Sequence, residues 1–153
     1  MRIPAILLSL SLALTALTST ASATSSLNLK SGVGYGLAGL AYETTISPNT
    51  SVEIGAGYVG AQVNGTNGYS LVVGGKYFFS PLDQGPFVAG RAFFVPVSGV
   101  LLGGGTLTGG YRFVFNAIQF DLEAGGALIG ATNGSSSETG AGLAVGLGLG
   151  YRF

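Results

Sequence analysis

The chain contains no cysteine and no histidine. The first absence excludes a disulfide framework, thiolate nucleophiles and thiolate metal sites. The second removes the commonest general acid–base residue. Charge is also scarce: acidic and basic residues together make up 8% of the chain. A soluble domain usually carries roughly a quarter or more of its surface as charge. No basic patch or stripe suggests nucleic acid. Beyond the N-terminal segment there is no apolar run of the ~18 residues that a membrane-spanning helix needs. What remains is abundant glycine, 28 residues, and a hydrophobic fraction of 47%.

The N-terminal segment reads as a secretory signal peptide. Arg2 is followed by an apolar stretch from Ile3 to about Leu17, and Ala21-Ser22-Ala23 forms an A-x-A cleavage pattern. An uncleaved anchor helix is the alternative, but the stretch is short for a span of ~20 residues. The expected mature domain is residues 24–153, one domain in size. With Arg2 removed, five basic residues face six acidic ones. An apolar exported chain without a spanning helix leaves three options: a glycine-rich disordered or fibrous protein, a secreted β-sandwich, or a membrane β-barrel.

Period-2 alternation runs through nearly all of the mature part. One apolar row holds Leu143, Val145, Leu147, Leu149, Tyr151 and Phe153, and others hold Ile118, Phe120 and Leu122, or Leu71, Val73, Tyr77 and Phe79. Turn residues separate the rows at Ser47–Thr50, Asn64–Gly68, Pro81–Gly85, Asn116-Ala117 and Asn133–Glu138. Further breaks are expected at Ser98-Gly99 or Gly103–Gly105, and near Gly34-Tyr35-Gly36. That first strand carries Leu27, Leu29, Val33 and Tyr35 in its row. The count is eight strands, or seven if the first is long and bent; eight leaves roughly sixteen residues per strand and connection, which fits the ~9–11 residues of a membrane strand. LAGLAYETTI, LVVGGKYFFS, LTGGYRFVFN and VGLGLGYRF share one plan, with aromatics collected towards one strand end. Such a collection predicts an interfacial girdle at one rim.

Nine strand charges fall on the face opposite the apolar rows: Lys30, Glu43, Glu53, Lys76, Arg91, Arg112, Asp121, Glu123 and Arg152. Their neighbours on that face are mostly glycine and alanine, such as Gly55, Gly57, Gly110, Gly125, Ala127, Ala144, Gly146, Gly148 and Gly150. A glycine face is a poor soluble surface, but it suits the narrow interior of an eight-stranded barrel. The expected fold is therefore all-β: an antiparallel up-and-down transmembrane barrel with lipid outside and a charged lumen inside. Hairpin spacing puts Arg112 opposite Asp121, Glu43 opposite Glu53 and Lys76 near Arg91, so an acidic patch should neighbour a basic one. Buried charges must be paired, and the nine are expected to form an ion network that plugs the lumen.

The closing stretch LGLGYRF resembles the C-terminal assembly signal of bacterial outer-membrane barrels. It has a final Phe153, Tyr151 two residues earlier, and Leu149, Leu147 and Val145 alternating before them. The mature sequence as a whole resembles the small eight-stranded OmpA/OmpX-type barrels. That resemblance implies both termini in the periplasm, residence in the outer membrane, contact with outer-membrane lipid, and insertion by the barrel assembly machinery reading the last strand. It also implies lumenal pairs between basic and acidic residues, with Lys76, Arg112, Glu53 and Asp121 as candidates. The loops near Gly65, Gly99 and Ser136 are short, which weakens an adhesin role.

Little suggests catalysis. Lipid A acyl-modifying barrels use a histidine, and this chain has none. Asp121 and Glu123 share a face, as an acid–base pair would, but Arg112 beside them favours a structural ion pair. Gly34-x-Gly36-x-x-Gly39 matches a dinucleotide fingerprint yet opens no helix. Asn49-Thr50-Ser51 matches a glycosylation acceptor, which means little in a bacterial export context. The expectations are no enzyme activity, no cofactor, no metal, no nucleic acid and a monomer. Function divides between a structural or surface-interaction barrel and a small passive pore, with a secreted glycine-rich β-protein as the non-membrane alternative.

Overall fold

A computed structural model describes residues 24–63, 66–81, 83–97, 100–132 and 136–153. The expected signal peptide, residues 1–23, lies outside the described residues. So do the tips of three expected turns, at 64–65, 98–99 and 133–135, and residue 82 in a fourth.

The strands are β1 (Ser25–Gly32), β2 (Gly36–Ser47), β3 (Thr50–Val63), β4 (Thr66–Phe78), β5 (Gly85–Val97), β6 (Val100–Phe115), β7 (Ile118–Thr132) and β8 (Ser137–Arg152). Each is antiparallel to the next, and β8 returns to β1 to close the barrel. The stagger of that closure can be followed residue by residue. From Leu29, successive partners are Leu40, Ala56, Leu71, Phe94, Gly103 and Gly130, ending at Thr139; Leu29 itself pairs with Leu149, a stagger of ten residues. Such a stagger tilts the strands, and a barrel of eight leaves an interior that side chains can just fill.

The turns follow their residues. Asn116 sits at φ 56°, in the left-handed region that asparagine tolerates, which allows the two-residue link from β6 to β7. The β1–β2 break falls where expected, with Gly34 at φ +94° and Gly36 at +69°. At Gly36 a Cβ would also lie 2.4 Å from the Tyr58 carbonyl oxygen, so only glycine fits there.

Three expectations about boundaries need correction. Gly103–Gly105 is not a break but the interior of β6. Gly104 is glycine because a Cβ there would stand 2.2 Å from the Leu128 carbonyl oxygen of β7 and 2.7 Å from Cζ of the Phe93 ring. Thr66–Gly68 belongs to β4, and Ser137 and Glu138 to β8, because the ladders continue further than their polar residues suggest. Tyr35 is not in the outward row of β1. It lies in the turn with its side chain buried in the barrel.

The faces are inverted relative to a soluble protein. Leu27, Leu40, Ile54, Leu71, Leu107, Leu128 and Val145 are exposed on the outside, while Lys30, Glu43, Glu53, Lys76, Arg112 and Asp121 are buried inside.

Candidate functional site

The lumen is built in layers. Its middle holds charge. Glu43 and Glu53 are directly opposite on β2 and β3, and Arg112 and Asp121 are opposite on β6 and β7. Lys76, from β4, has 0% side-chain exposure and bridges them. Its Nζ lies 2.8 Å from Glu43 Oε2 and 2.6 Å from Asp121 Oδ2, with Glu53 Oε2 at 3.8 Å. Arg112 holds Asp121 in a bidentate fork, donating from Nε to Oδ1 at 2.6 Å and from Nη2 to Oδ2 at 2.8 Å. It reaches Glu43 as well, Nη1 to Oε1 at 2.8 Å. Planar forks of this kind fit carboxylates in two parallel bonds.

A second group stands beside the first. Glu53 accepts from Lys30 Nζ at 2.5 Å, from Arg91 Nε, and from the Tyr35 hydroxyl at 3.2 Å. Arg91 Nη1 donates to Glu123 at 2.8 Å, and Thr108 Oγ1 donates to the same oxygen at 2.9 Å. Ser51 Oγ completes Glu43 at 2.7 Å. Eight of the nine expected lumenal charges thus join one connected cluster of four cations and four carboxylates. Its net formal charge is zero, as burial requires.

The ninth charge needs correction. Arg152 is not in the network. It lies at the rim where the chain ends, 3.7 Å from Asp83 Oδ2. The β4–β5 turn carries Asp83 inwards at φ 51°, where Thr45 Oγ1 donates to it. Burial raises the Asp83 carboxyl above its ordinary range, against the Thr45 hydrogen bond that lowers it. The expected separation into an acidic and a basic patch is also overturned. Hairpin neighbours such as Glu43 and Glu53 do face each other, but cations from across the lumen insert between them. Lys30 reaches from β1 to β3, and Lys76 from β4 to β7. In so narrow a barrel, contacts across the lumen count as much as contacts within a hairpin.

The lumen also holds larger uncharged side chains beyond the glycines and alanines expected there. Phe78, Phe87 and Ala89 form one buried cluster, and Tyr35, Ala41, Val72, Phe93 and Val95 another. The aromatics face the cations: Lys76 over Phe87 at 5.2 Å, Arg112 over Phe78 at 5.0 Å and Lys30 over Tyr35 at 5.5 Å. Desolvated cation–π contacts contribute up to ~2 kcal/mol each. Ser26, Asn28 and Gln119 make an amide cluster, with Gln119 Nε2 donating to Asn28 Oδ1 at 2.6 Å. Strand parity carried the signal for most of them. Phe78 shares a face with Lys76, Phe87 and Phe93 with Arg91, and Gln119 with Asp121.

β8 seats these groups with glycine. A Cβ on Gly150 would lie 2.0 Å from Asn28 Oδ1, and one on Gly146 2.6 Å from Glu123 Oε1. On the other face of β8, Val145, Leu147, Leu149, Tyr151 and Phe153 all point outwards and are exposed. Phe153 is tied into the sheet, donating from its N–H to Ser25 O at 2.9 Å and accepting from Ser25 N at 3.2 Å. The last residue is therefore part of the seam that closes the barrel.

Asp121 and Glu123 sit on one face, but each is bound to a cation: Asp121 to Lys76 and Arg112, and Glu123 to Arg91. Among the described residues no cluster of three or more potential ligand side chains could hold a metal.

No protein-family model matches the chain, and no curated protein matches it either. Among solved structures it is similar to the N-terminal β-barrel domain of Pseudomonas aeruginosa OprF, with a TM-score of 0.52 and 14% identity. The match covers 86% of this chain and 96% of that one. At this identity the likeness is one of fold. The chain shares with that domain a closed, all-β barrel architecture, here of eight strands.

Proposed function

We propose that residues 24–153 form a small integral protein of the bacterial outer membrane. In this reading the lumen is plugged by the protein's own side chains, and the barrel serves a structural or surface-interaction role. The observation that carries the reading is the inversion of the faces. Leucine, isoleucine and aromatic side chains cover the outside, and a neutral ion cluster fills the inside. Exposed apolar area on this scale needs a partner, and a closed sheet with no free edge around its middle is one of the two structures that can span lipid. Tyr42, Tyr77, Phe79, Tyr111, Phe113, Tyr151 and Phe153 are exposed near the rim where the chain ends, where an interfacial girdle belongs.

A plugged lumen is supported by Lys76, Phe78 and Phe87, which are each almost wholly buried inside the barrel. Leu147, Leu149, Tyr151 and Phe153 act in this account as the address read by the barrel assembly machinery. Export follows from the first 23 residues acting as a cleaved signal. No enzymatic step and no cofactor enter the account, since every lumenal carboxylate is committed to a cation. The protein acts as a monomer, in contact with lipid and not with nucleic acid.

Fractionation of expressing cells tests this. The protein should be recovered in the outer-membrane fraction and run on a gel as a compact band that shifts on boiling. Recovery in the soluble periplasm or medium, with no shift, would overturn it in favour of a secreted glycine-rich β-protein.

A further inference from the structure

Arg91 on β5 and Thr106 on β6 are direct cross-strand partners, and both side chains are buried in the lumen. Arg91 commits Nε to Glu53 and Nη1 to Glu123. Its Nη2 has no partner in the protein, and neither does Thr106 Oγ1. A buried polar group left unmade costs ~1–3 kcal/mol, more when charged, so two neighbouring orphans need an explanation. Both line one small cavity of about 10 Å³, together with Tyr35, Thr108, Glu123 and Gly146. A polar cavity of ~10–15 Å³ is the size that admits one water, provided two to four polar groups meet it.

We infer that this cavity is a binding site for one ordered water molecule, held between Arg91 Nη2 and Thr106 Oγ1. The water oxygen accepts from Arg91 Nη2. One of its hydrogens goes to Thr106 Oγ1, and the other is free for the Glu123 carboxylate on the same wall. Charge selects water over an anion. Glu53 and Glu123 already match Arg91, and the four lumenal cations balance four carboxylates. An anion would add an unmatched charge beside Glu123. The position also provides exchange. Pairing of β1 with β8 stops at Gly32 and Gly146, and both residues line the cavity. The site therefore sits where the seam ends, and it completes the hydrogen bonding of the ion network on that side. The inference rests on the filled lumen proposed above, whose failure would appear as ion conductance and not in the observations that follow.

Crystals of the full barrel grown in bromide, for the native protein and for Thr106→Val and Thr106→Ser, test it. The native density should show one peak within hydrogen-bond distance of Arg91 Nη2 and Thr106 Oγ1, with no bromine anomalous signal. Thr106→Ser should retain that peak and Thr106→Val should lose it. A bromine signal at the site would make it an anion site and overturn the inference. So would an empty cavity with Arg91 Nη2 bonded to a protein carbonyl, or an unchanged peak in Thr106→Val. If Thr106→Val fails to fold, the native and Thr106→Ser densities decide the matter.

Discussion

Lys76 is the residue on which the lumen depends most. It has no exposed side-chain surface, and its ammonium lies within 2.8 Å of both Glu43 and Asp121. Lys76→Met keeps the length of the side chain and its packing under Phe87 but removes the charge. Glu43 and Asp121 would then share Arg112 alone, and the cluster would carry one unmatched negative charge. Removing one partner of a buried pair costs ~3–5 kcal/mol, since the remaining charge stays desolvated. At ~1.4 kcal/mol per factor of ten, the ratio of folded to unfolded protein at the native midpoint should fall by at least ~100-fold. A urea titration in detergent, scored by the compact gel band, measures this. Adding Glu43→Gln restores the charge balance and leaves the Arg112 fork on Asp121 intact. The double variant should therefore be more stable than Lys76→Met, with a coupling of ~0.5–3 kcal/mol. A Lys76→Met variant within ~0.5 kcal/mol of native, or strictly additive effects in the double, would refute the buried network as the source of lumenal stability.

Other consequences can be checked in the same assays. Gly150→Ala places a methyl 2.0 Å from Asn28 Oδ1, which Gln119 holds in place, and should destabilise by ~1–3 kcal/mol. Gly142→Ala meets nothing within 4 Å and should stay within ~0.5 kcal/mol of native. Phe153→Ala should slow assembly and lower the yield of compact barrel in cells while leaving the lumen unchanged; normal insertion would count against the address role of the last strand. Asp83 has a folded pKa raised above its unfolded value, chiefly by burial. The folded state therefore holds its proton longer, and this group's contribution to stability falls as pH rises through the unfolded and then the folded pKa. Asp83→Asn should flatten that part of the urea-midpoint profile against pH.

An ion cluster is a costly way to fill a barrel, since desolvating each charge costs several kcal/mol. It has an advantage in register, however. On the membrane reading, a one-residue slip of any strand from β1 to β7 would turn its charge towards lipid, at ~2–4 kcal/mol for a basic residue near the bilayer midplane. The partners across the lumen would lose their counter-charge as well. The arrangement makes misregistered closure expensive, and fold specificity is the role we assign to it. The aromatic clusters around Phe78 and Phe93 add packing that charges cannot supply.

Much of this was legible in the sequence for one physical reason. Side chains alternate strictly across a strand, so each charge flanked by apolar residues, such as Arg112 between Tyr111 and Phe113, announces its own face. The hairpin partners of Asn116-Ala117 followed from counting residues out from the turn. What escaped depended on contacts across the lumen. Nothing in the local sequence says that Lys30 meets Glu53, or that the β4–β5 turn folds in to bring Asp83 to Arg152. Gly103–Gly105 looks like a break, because the Leu128 carbonyl and the Phe93 ring that make Gly104 necessary belong to the neighbouring strands. Tyr35 looks like part of an alternating row, but the positive-φ glycines around it turn the chain and point it inwards.

Single-channel recording of the purified barrel in planar bilayers tests the central claim most directly. A lumen filled by Lys76, its carboxylates and the flanking phenylalanines predicts a quiet baseline, with no discrete steps of nanosiemens size. Stable steps of that size from the native protein would contradict the plug and assign the chain to the passive pores.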